Sequence, residues 1–153
     1  METLVMLLKE HPFFKDFPPQ FISLLTECAS NRVYKQGSFI TRSGEEAREF
    51  YLIREGIVAI ELDAGTDHPI VLQTLDDGDI LGWSWLLPPY YWHFDARAEK
   101  ETHLYVLDGP CIRQKCEKNH SLGYELLKRF AYIMETRLEA TRLQLLDIYQ
   151  KNR

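Results

Sequence analysis

The segment 83–94 concentrates aromatic side chains that could bind a ligand. It holds all three tryptophans of the chain. Its large aromatic residues are Trp83, Trp85, Tyr90, Tyr91, Trp92 and Phe94. Rings at this density can line a pocket and stack on a planar or cationic small molecule. They can also simply fill a core, which is the commoner role of an aromatic cluster. Pro88 and Pro89 stiffen the segment, and a stiff loop suits a preformed pocket.

A polar row follows the aromatic segment. His93, Asp95 and Arg97 alternate with small or apolar residues, so in a strand they share one face. His93 could donate to a phosphate, titrate near neutral pH or ligate a metal. No second ligand stands at motif spacing from it, so we predict no metal site. The alternative interpretation is a solvent-facing row joined by salt bridges.

Signatures of catalysis are missing from the sequence. It has no Gly-rich phosphate loop, no Gly-x-Ser-x-Gly elbow and no plausible carboxylate pair, so we expect a protein that is not an enzyme. The three cysteines stand at irregular spacing and predict free thiols in a reducing cytoplasm rather than a disulfide framework. Cys111 and Cys116 then fit as small buried or half-buried residues. A metal or haem sensor, using His93 or Cys111, is a third and less specific interpretation.

Composition narrows the class of protein. The 153 residues carry 18 basic and 23 acidic side chains, a net charge of -5, which is typical of one globular domain. The acidic balance argues against nucleic acid as the main partner. No apolar stretch is long enough to span a membrane, and the N-terminus lacks the features of a secretory signal. We therefore expect a cytoplasmic location.

Three regions of one domain, 1–153, must position these residues. Apolar periodicity predicts N-terminal helices within 1–30, at 3–10 and 20–29. Residues 31–108 read as short strands separated by glycine turns, which favours a barrel, roll or sandwich. The predicted strands are 32–36, 38–42, 49–53, 56–62, 70–75, 93–98 and 103–107. Residues 109–153 form a hinge, a short helix to about Lys118 and a long helix from about Ser121 to Tyr149, which Asn119 or Ser121 can cap.

The long helix carries an apolar seam with the heptad spacing of a coiled coil. The seam residues are Leu127, Met134, Leu138, Thr141, Leu145 and Ile148. One face of the helix is expected to cover the β domain, and the seam to pair with a second copy of the chain. The alternative is a helix packed entirely on its own domain.

A family resemblance begins at residues 32–60. Gly37, Gly44, the aromatic-x-Ile segment Tyr51-Leu52-Ile53 and the run Gly56-Ile57-Val58 stand in a recognisable order, followed by a Gly-Asp pair at 78–79. This pattern resembles a cyclic nucleotide-binding domain of the bacterial catabolite-activator type, over about residues 10–150. The resemblance implies a mainly β fold with flanking α: an eight-stranded antiparallel, jelly-roll-like β-roll with short N-terminal helices and a long C-terminal helix that often dimerises.

The ligand-binding cassette departs from the family pattern. In the family a glutamate after the cassette glycine holds the ribose hydroxyl, and an arginine after a short helix neutralises the cyclic phosphate. Gly82 matches the glycine, but Trp83 stands at the glutamate position, Trp92 at the arginine position and His93 at the following Ser/Thr position. Charge-assisted hydrogen bonds of this kind contribute roughly 1.5–3 kcal/mol each. The usual contacts to cAMP or cGMP are therefore missing, although Arg97 or His93 could supply charge from another direction.

The sequence as a whole predicts a regulatory module that senses a small ligand. The candidate pocket residues are Gly82, Trp83, Ser84, Trp85, Trp92, His93 and Arg97. The expected ligand is a cyclic nucleotide bound by other contacts, or another aromatic or anionic small molecule, which would shift the hinge near 108–110 and reorient the long helix. The alternative is a ligand-free domain for protein interaction or dimerisation, with an aromatic-filled pocket. We expect no direct DNA binding, because a helix-turn-helix module needs on the order of 60 further residues.

Overall fold

The computed structural model describes residues 3–63, 65 and 67–152. In these residues the helices are α1 Leu4–Glu10, α2 Pro19–Thr26, α3 Gly109–Lys118 and α4 His120–Lys151, with a 3₁₀ turn at Pro12–Phe14. The strands are β1 Ala29–Tyr34, β2 Phe39–Thr41, β3 Glu49–Glu55, β4 Val58–Leu62, β5 Ile70–Leu75, β6 Ile80–Leu81, β7 Asp95–Ala98 and β8 Thr102–Asp108. The predicted order of elements is confirmed. The short strand β6 was not predicted, and the expected second helix ends earlier because Ala29 already pairs with Leu107 in β1.

The strands form two antiparallel four-stranded sheets. Their orders are β1-β8-β3-β6 and β2-β7-β4-β5. The two sheets face each other as a β-roll, which confirms the fold that the resemblance implied. Side chains alternate along the first sheet, so that Phe50 and Leu52 point to the helices, whereas Tyr51 and Ile53 point between the sheets. The molecule therefore has one apolar layer between helices and sheet and another inside the roll.

The helices cover one face of the first sheet. Leu122, Leu126 and Phe130 of α4 are buried against it together with the phenylalanines of the N-terminal segment. The side chain of Asn119 accepts a hydrogen bond from the backbone N–H of Leu122 and caps α4 as predicted. Helix α3 begins directly after β8, where the Asp108 carboxylate accepts a hydrogen bond from the N–H of Cys111. None of the helices in the described ranges is long and apolar enough to cross a membrane.

The second half of α4 extends away from the domain. From Leu138 to Lys151 every residue is exposed on all sides of the helix. Of the predicted seam, Leu127, Leu138, Leu145 and Ile148 are each more than half exposed, and Thr141 is exposed as well. Met134 is half-buried and packs against the layer between helices and sheet. The helix thus covers its own domain only as far as its middle.

The cysteines differ from the prediction. Cys28, at the end of the α2 region, forms a disulfide with Cys111 at the start of α3, across 83 residues of sequence. The expectation of free thiols was therefore wrong for this pair. Irregular spacing gave no indication of it, because the fold brings the end of the N-terminal helices beside the hinge. Cys116 is a free, half-buried cysteine, and burial raises the pKa of its thiol.

Candidate functional site

The loop between β6 and β7, residues 82–94, occupies the position of the cassette. All of it lies in the described part of the chain, and it forms turns rather than a helix. The N–H of Leu86 donates to the carbonyl of Trp83 at 3.1 Å, and that of Tyr90 to Leu87 at 3.0 Å. The Pro88–Pro89 peptide bond is cis. The helix N-terminus that would offer amide donors to a phosphate is therefore not formed in this loop.

The far end of the loop is fixed to the turn between β2 and β3. The N–H of Trp92 donates to the carbonyl of Glu45 at 2.9 Å, and the N–H of Gly44 donates to the carbonyl of Trp92 at 2.8 Å. The N–H of Ala47 donates to the carbonyl of Tyr90 at 2.6 Å. These backbone bonds hold residues 90–92 against the roll and fix the direction in which the Trp92 side chain enters it.

Trp92 fills the interior of the roll beside the cassette glycine. It is 4% exposed and belongs to the layer between the sheets. Its ring stacks on Tyr51 with centroids 6.5 Å apart, and Phe94 packs beside it at 5.9 Å. Gly82 has a φ of +98°, and a Cβ built on it would lie 2.4 Å from Cη2 of Trp92. The indole thus lies directly on the backbone of Gly82, and only a glycine allows this approach.

The other two tryptophans lie in a different layer. Trp85 is 1% exposed and stacks on Phe50, with centroids 4.8 Å apart, in the layer between helices and sheet. Its Nε1 is buried with no hydrogen-bond partner in the described residues. Trp83 is half-buried at the edge of the same layer. The tryptophans therefore do not line one pocket, because the loop starts at the sheet edge β6 and sends side chains to both faces of the sheet.

Two arginines connect the loop to the C-terminal helices. Arg113 of α3 donates to the carbonyl of Trp85, and its guanidinium lies 4.4 Å from the ring centre of Tyr90. Arg137 of α4 donates to the carbonyl of Ile80 and lies 5.1 Å from the ring centre of Trp83. Burial lowers the pKa of Arg137, which Asp79 partly offsets by attraction. Neither arginine was predicted, and no local pattern marks them, since their partners are 28 and 57 residues away.

Two residues of the predicted polar row, Asp95 and Arg97, lie on the outer face of the second sheet, whereas His93 precedes the strand because β7 begins at Asp95 rather than at 93. Arg97 pairs with Glu61 at 2.6 Å and with Glu99 at 3.1 Å, and the hydrogen bond that Arg97 donates to Glu61 raises the pKa of Arg97. Asp95 accepts from the N–H of Ser43 at 2.8 Å, and His93 is exposed. Within the predicted pocket set, Gly82 and Trp92 are in contact. Trp85 is buried in the layer between helices and sheet, and His93 and Arg97 lie on the outside of the domain. Ser84 is half-buried in the turn.

A polar cluster at the mouth of the roll was not predicted. Arg32 of β1 pairs with Glu49 of β3 at 2.9 Å and donates to the hydroxyl of Tyr34 at 3.0 Å. Burial, reinforced by the negative charge of Glu49, raises the pKa of the Tyr51 hydroxyl. The alternation of Arg32 and Tyr34 along β1 could have indicated part of this cluster. Its arginine is already neutralised by Glu49, so it offers little to an anion.

Metal ligands do not converge in the described residues. No group of three or more His, Cys, Asp or Glu side chains there could hold an ion. The geometry that remains is a β-roll with a cassette-like loop, linked by side chains to a long helix. These features place the chain in the class of β-roll domains that carry a long C-terminal helix.

The sequence comparison identifies the family. The pattern of the cyclic nucleotide-binding domain matches residues 31–119, and the chain belongs to this family. Human cGMP-dependent protein kinase 2 is 28% identical over 76 residues, which is 49% of this chain and 10% of the kinase. The match thus covers a small part of that enzyme, and the matched family is a regulatory domain rather than a catalytic one.

Solved structures agree on the fold. A Geobacter metallireducens GS-15 protein assigned to the cyclic nucleotide-binding proteins superposes with a TM-score of 0.79, at 23% identity, over 90% of this chain and 99% of that one. The regulatory subunit of a cAMP-independent protein kinase A from Trypanosoma brucei superposes with a TM-score of 0.71, at 21% identity, over 94% of this chain and 50% of that one.

Proposed function

We propose that this chain is a regulatory module of the cyclic nucleotide-binding fold whose roll interior is closed by Trp92 and whose output is the position and pairing of α4. The observation that carries the proposal is the contact of the Trp92 ring with Gly82, where the family places its ligand. The module would act on a second copy or another protein partner rather than catalyse a reaction.

The energetics argue against cAMP or cGMP as the ligand of the roll. A nucleotide would have to displace Trp92, and exposing such a side chain costs roughly 1.5–3 kcal/mol. The two missing charged contacts, at the positions of Trp83 and Trp92, each remove roughly 1.5–3 kcal/mol. Together these losses amount to about three to six orders of magnitude in affinity. Regulation without cAMP has a parallel in the same fold, in the subunit of the trypanosomal kinase.

Side-chain links give the module a route from the loop to the helices. Arg113 holds the loop to α3, and Arg137 holds its start to α4. A rearrangement of the loop would break or shift both contacts and change the preferred direction of α4. The exposed residues of the seam, Leu127, Leu138, Leu145 and Ile148, would pair with the same residues of a second copy, whereas Met134 packs on its own domain. A lone helix with so many exposed leucines gains stability mainly from such packing.

Thermal unfolding with cyclic nucleotides tests the proposal. We expect the wild-type midpoint to stay unchanged with 1 mM cAMP or cGMP. The double variant Trp83→Glu/Trp92→Arg restores the family's charged pair, and we expect it to gain a saturable shift. At a hundredfold excess over Kd the shift should reach about 5–10 °C. Arg97→Gln is the matched control, because Arg97 lies on the outer face and its loss should create no nucleotide response.

A saturable shift of several degrees in the wild type would refute the closed roll. Trp92→Ala provides a second variant in case the double variant does not fold, since it removes the ring without adding charge; because it lacks the charged contacts, its shift should need a higher cAMP concentration. If cAMP does not stabilise a folded double variant, the interior is closed by more than Trp92, and the assignment of Trp92 as the residue that closes it is wrong.

A further inference from the structure

A groove outside the roll offers a second place for a ligand. It has a volume of about 930 Å³ and lies between the first half of α4, the 3₁₀ turn and the turn before β6. Arg129, Tyr132 and Arg137 line it from α4, and Lys15 and Asp79 line it from the opposite side. Its volume falls in the range of small-molecule sites, roughly 300–1,000 Å³. Neither Trp92 nor Gly82 lines it, so the closure of the roll does not affect it.

The arginines of the groove are held in place by backbone carbonyls and aromatic rings. Arg129 donates to the carbonyl of Phe13 at 2.9 Å and lies over the ring of Phe17. Arg137 donates to the carbonyl of Ile80 and lies over the ring of Trp83. In residues 3–63, 65 and 67–152 neither guanidinium forms an ion pair with a carboxylate. Each has five N–H donors, so most remain for other acceptors.

The carboxylates of the groove are partly engaged elsewhere. Glu125 pairs with Lys128 at 3.1 Å, which leaves that pair neutral. Asp79 accepts from the N–H of Asp76 at 2.9 Å, and burial raises its pKa. Asp16 is exposed at the rim, next to Lys15. Three cations, Arg129, Arg137 and Lys15, thus face two carboxylates, and both arginines are oriented by contacts within the fold.

We propose that this groove binds an organic phosphate with more than one phosphate group. A guanidinium matches a phosphate with paired hydrogen bonds. Arg129 and Arg137 are eight residues apart on α4, a rise of about 12 Å. Each guanidinium is held by a different backbone carbonyl, that of Phe13 or that of Ile80, so a phosphate chain suits the pair better than a single phosphate. The remaining volume and the exposed ring of Tyr132 would accept the organic body. This site goes beyond the proposed function and stands whether or not the roll interior admits a nucleotide.

A bound ligand here would act directly on the regulatory helix. It would contact α4 on one side and the turn that leads into β6 and the cassette loop on the other. Binding would therefore favour the arrangement in which α4 stays against the domain. The groove would give the module a ligand input without opening the roll.

Calorimetric titration with ATP and with inorganic tripolyphosphate tests the site. We expect saturable ATP binding that weakens between 50 and 200 mM salt. Arg129→Gln and Lys15→Gln should each weaken it by about tenfold or more. Arg142→Gln is the matched control on the same helix, since Arg142 pairs with Glu139 outside the groove, and it should change the affinity less than twofold.

Several results would overturn the proposal. The first is that ATP shows no saturable binding at millimolar concentration. The second is that Arg142→Gln weakens ATP binding as much as the groove variants do. The third is that Lys15→Gln and Arg129→Gln leave the affinity for ATP unchanged. Tripolyphosphate binding as tight as ATP would overturn the organic part. Arg129 also contacts Phe13 and Phe17, so the unfolding midpoint of the Arg129→Gln variant is measured in parallel. Lys15 is exposed, and we expect Lys15→Gln to leave the fold intact. A cAMP response of the Trp83→Glu/Trp92→Arg variant should be unaffected by Lys15→Gln, which separates the two proposals.

Discussion

The disulfide between Cys28 and Cys111 should contribute a large part of the stability of this domain. It closes a loop across 83 residues, from the end of the N-terminal helices to the start of α3. Loop-closure entropy for this length predicts about 4.5 kcal/mol at 25 °C, near the top of the usual 2–5 kcal/mol. For a domain of this size the loss corresponds to a fall of about 10–18 °C in the unfolding midpoint.

Calorimetry under oxidising and reducing conditions measures this contribution. We expect the oxidised wild type to lose the predicted stability when a thiol reductant is added. The Cys28→Ala/Cys111→Ala variant should unfold at the low midpoint in both conditions. Cys116→Ala is the matched control, because Cys116 is half-buried and free and its removal should leave the response to reductant intact.

Thiol counting tests whether the Cys28–Cys111 disulfide forms in solution. Alkylation of the unfolded, non-reduced protein followed by mass spectrometry should label Cys116 alone. Three labelled cysteines, or a midpoint that reductant does not move, would refute the bond as a stabilising element. Either result would favour the sequence-based prediction of free thiols in a reducing environment.

Three further predictions concern the core, the N-terminal segment and α4. Burial lowers the pKa of His11 below its usual 6.5, so the unfolded state binds protons more readily than the folded state. The contribution of neutral His11 to the free energy of unfolding should be fully present above about pH 6.5 and should be lost as the pH drops below it. Denaturant titrations should find this pH dependence reduced in His11→Gln and unchanged in the exposed control His120→Gln. Gly82→Ala should lower the free energy of unfolding in urea by about 2–4 kcal/mol, since it combines a positive φ with a clash against the Trp92 ring. Adding Trp92→Leu should recover the part of the loss that is due to the clash. An equal loss with and without Trp92 would show that the ring does not lie on Gly82. Leu145→Glu should turn a dimer into a monomer in light scattering without changing the unfolding midpoint of the domain, because Leu145 is 51% exposed and lies in the part of α4 where every residue is exposed. A wild type that is monomeric at high concentration would rule out pairing through α4.

The fold was largely predictable because local and long-range signals agree along most of the chain. In β3 the run from Phe50 to Ile53 is apolar on both faces, which fits a strand between two packed layers. The long helix was predicted from its cap and its heptad spacing. The predicted end of the second helix was wrong at residues 27–29. The apolar periodicity of the helix continues through Cys28, but Cys28 bonds to Cys111 and Ala29 pairs with β8, so the chain leaves the helix earlier.

The site was less predictable because a loop gives no indication of which face its side chains choose. The density of rings marked the segment 83–94 as a candidate site, and the family pattern predicted Gly82 as its first residue. It could not show that Trp85 and Trp92 lie on opposite faces of the first sheet. Arg137 was beyond sequence reasoning altogether, since its partner Ile80 lies 57 residues away and neither residue belongs to a motif.

The split of the aromatic segment suggests what the segment does. Trp85 is fixed in the layer that the helices cover, and Trp92 is fixed inside the roll, with only six residues between them. Backbone hydrogen bonds hold the end of the loop near Trp92 to the turn before β3, and Arg113 holds the end near Trp85 to α3, so both ends of the loop are fixed in position. The segment thus joins the two apolar layers of the domain through one short loop, and its rings do not line one pocket.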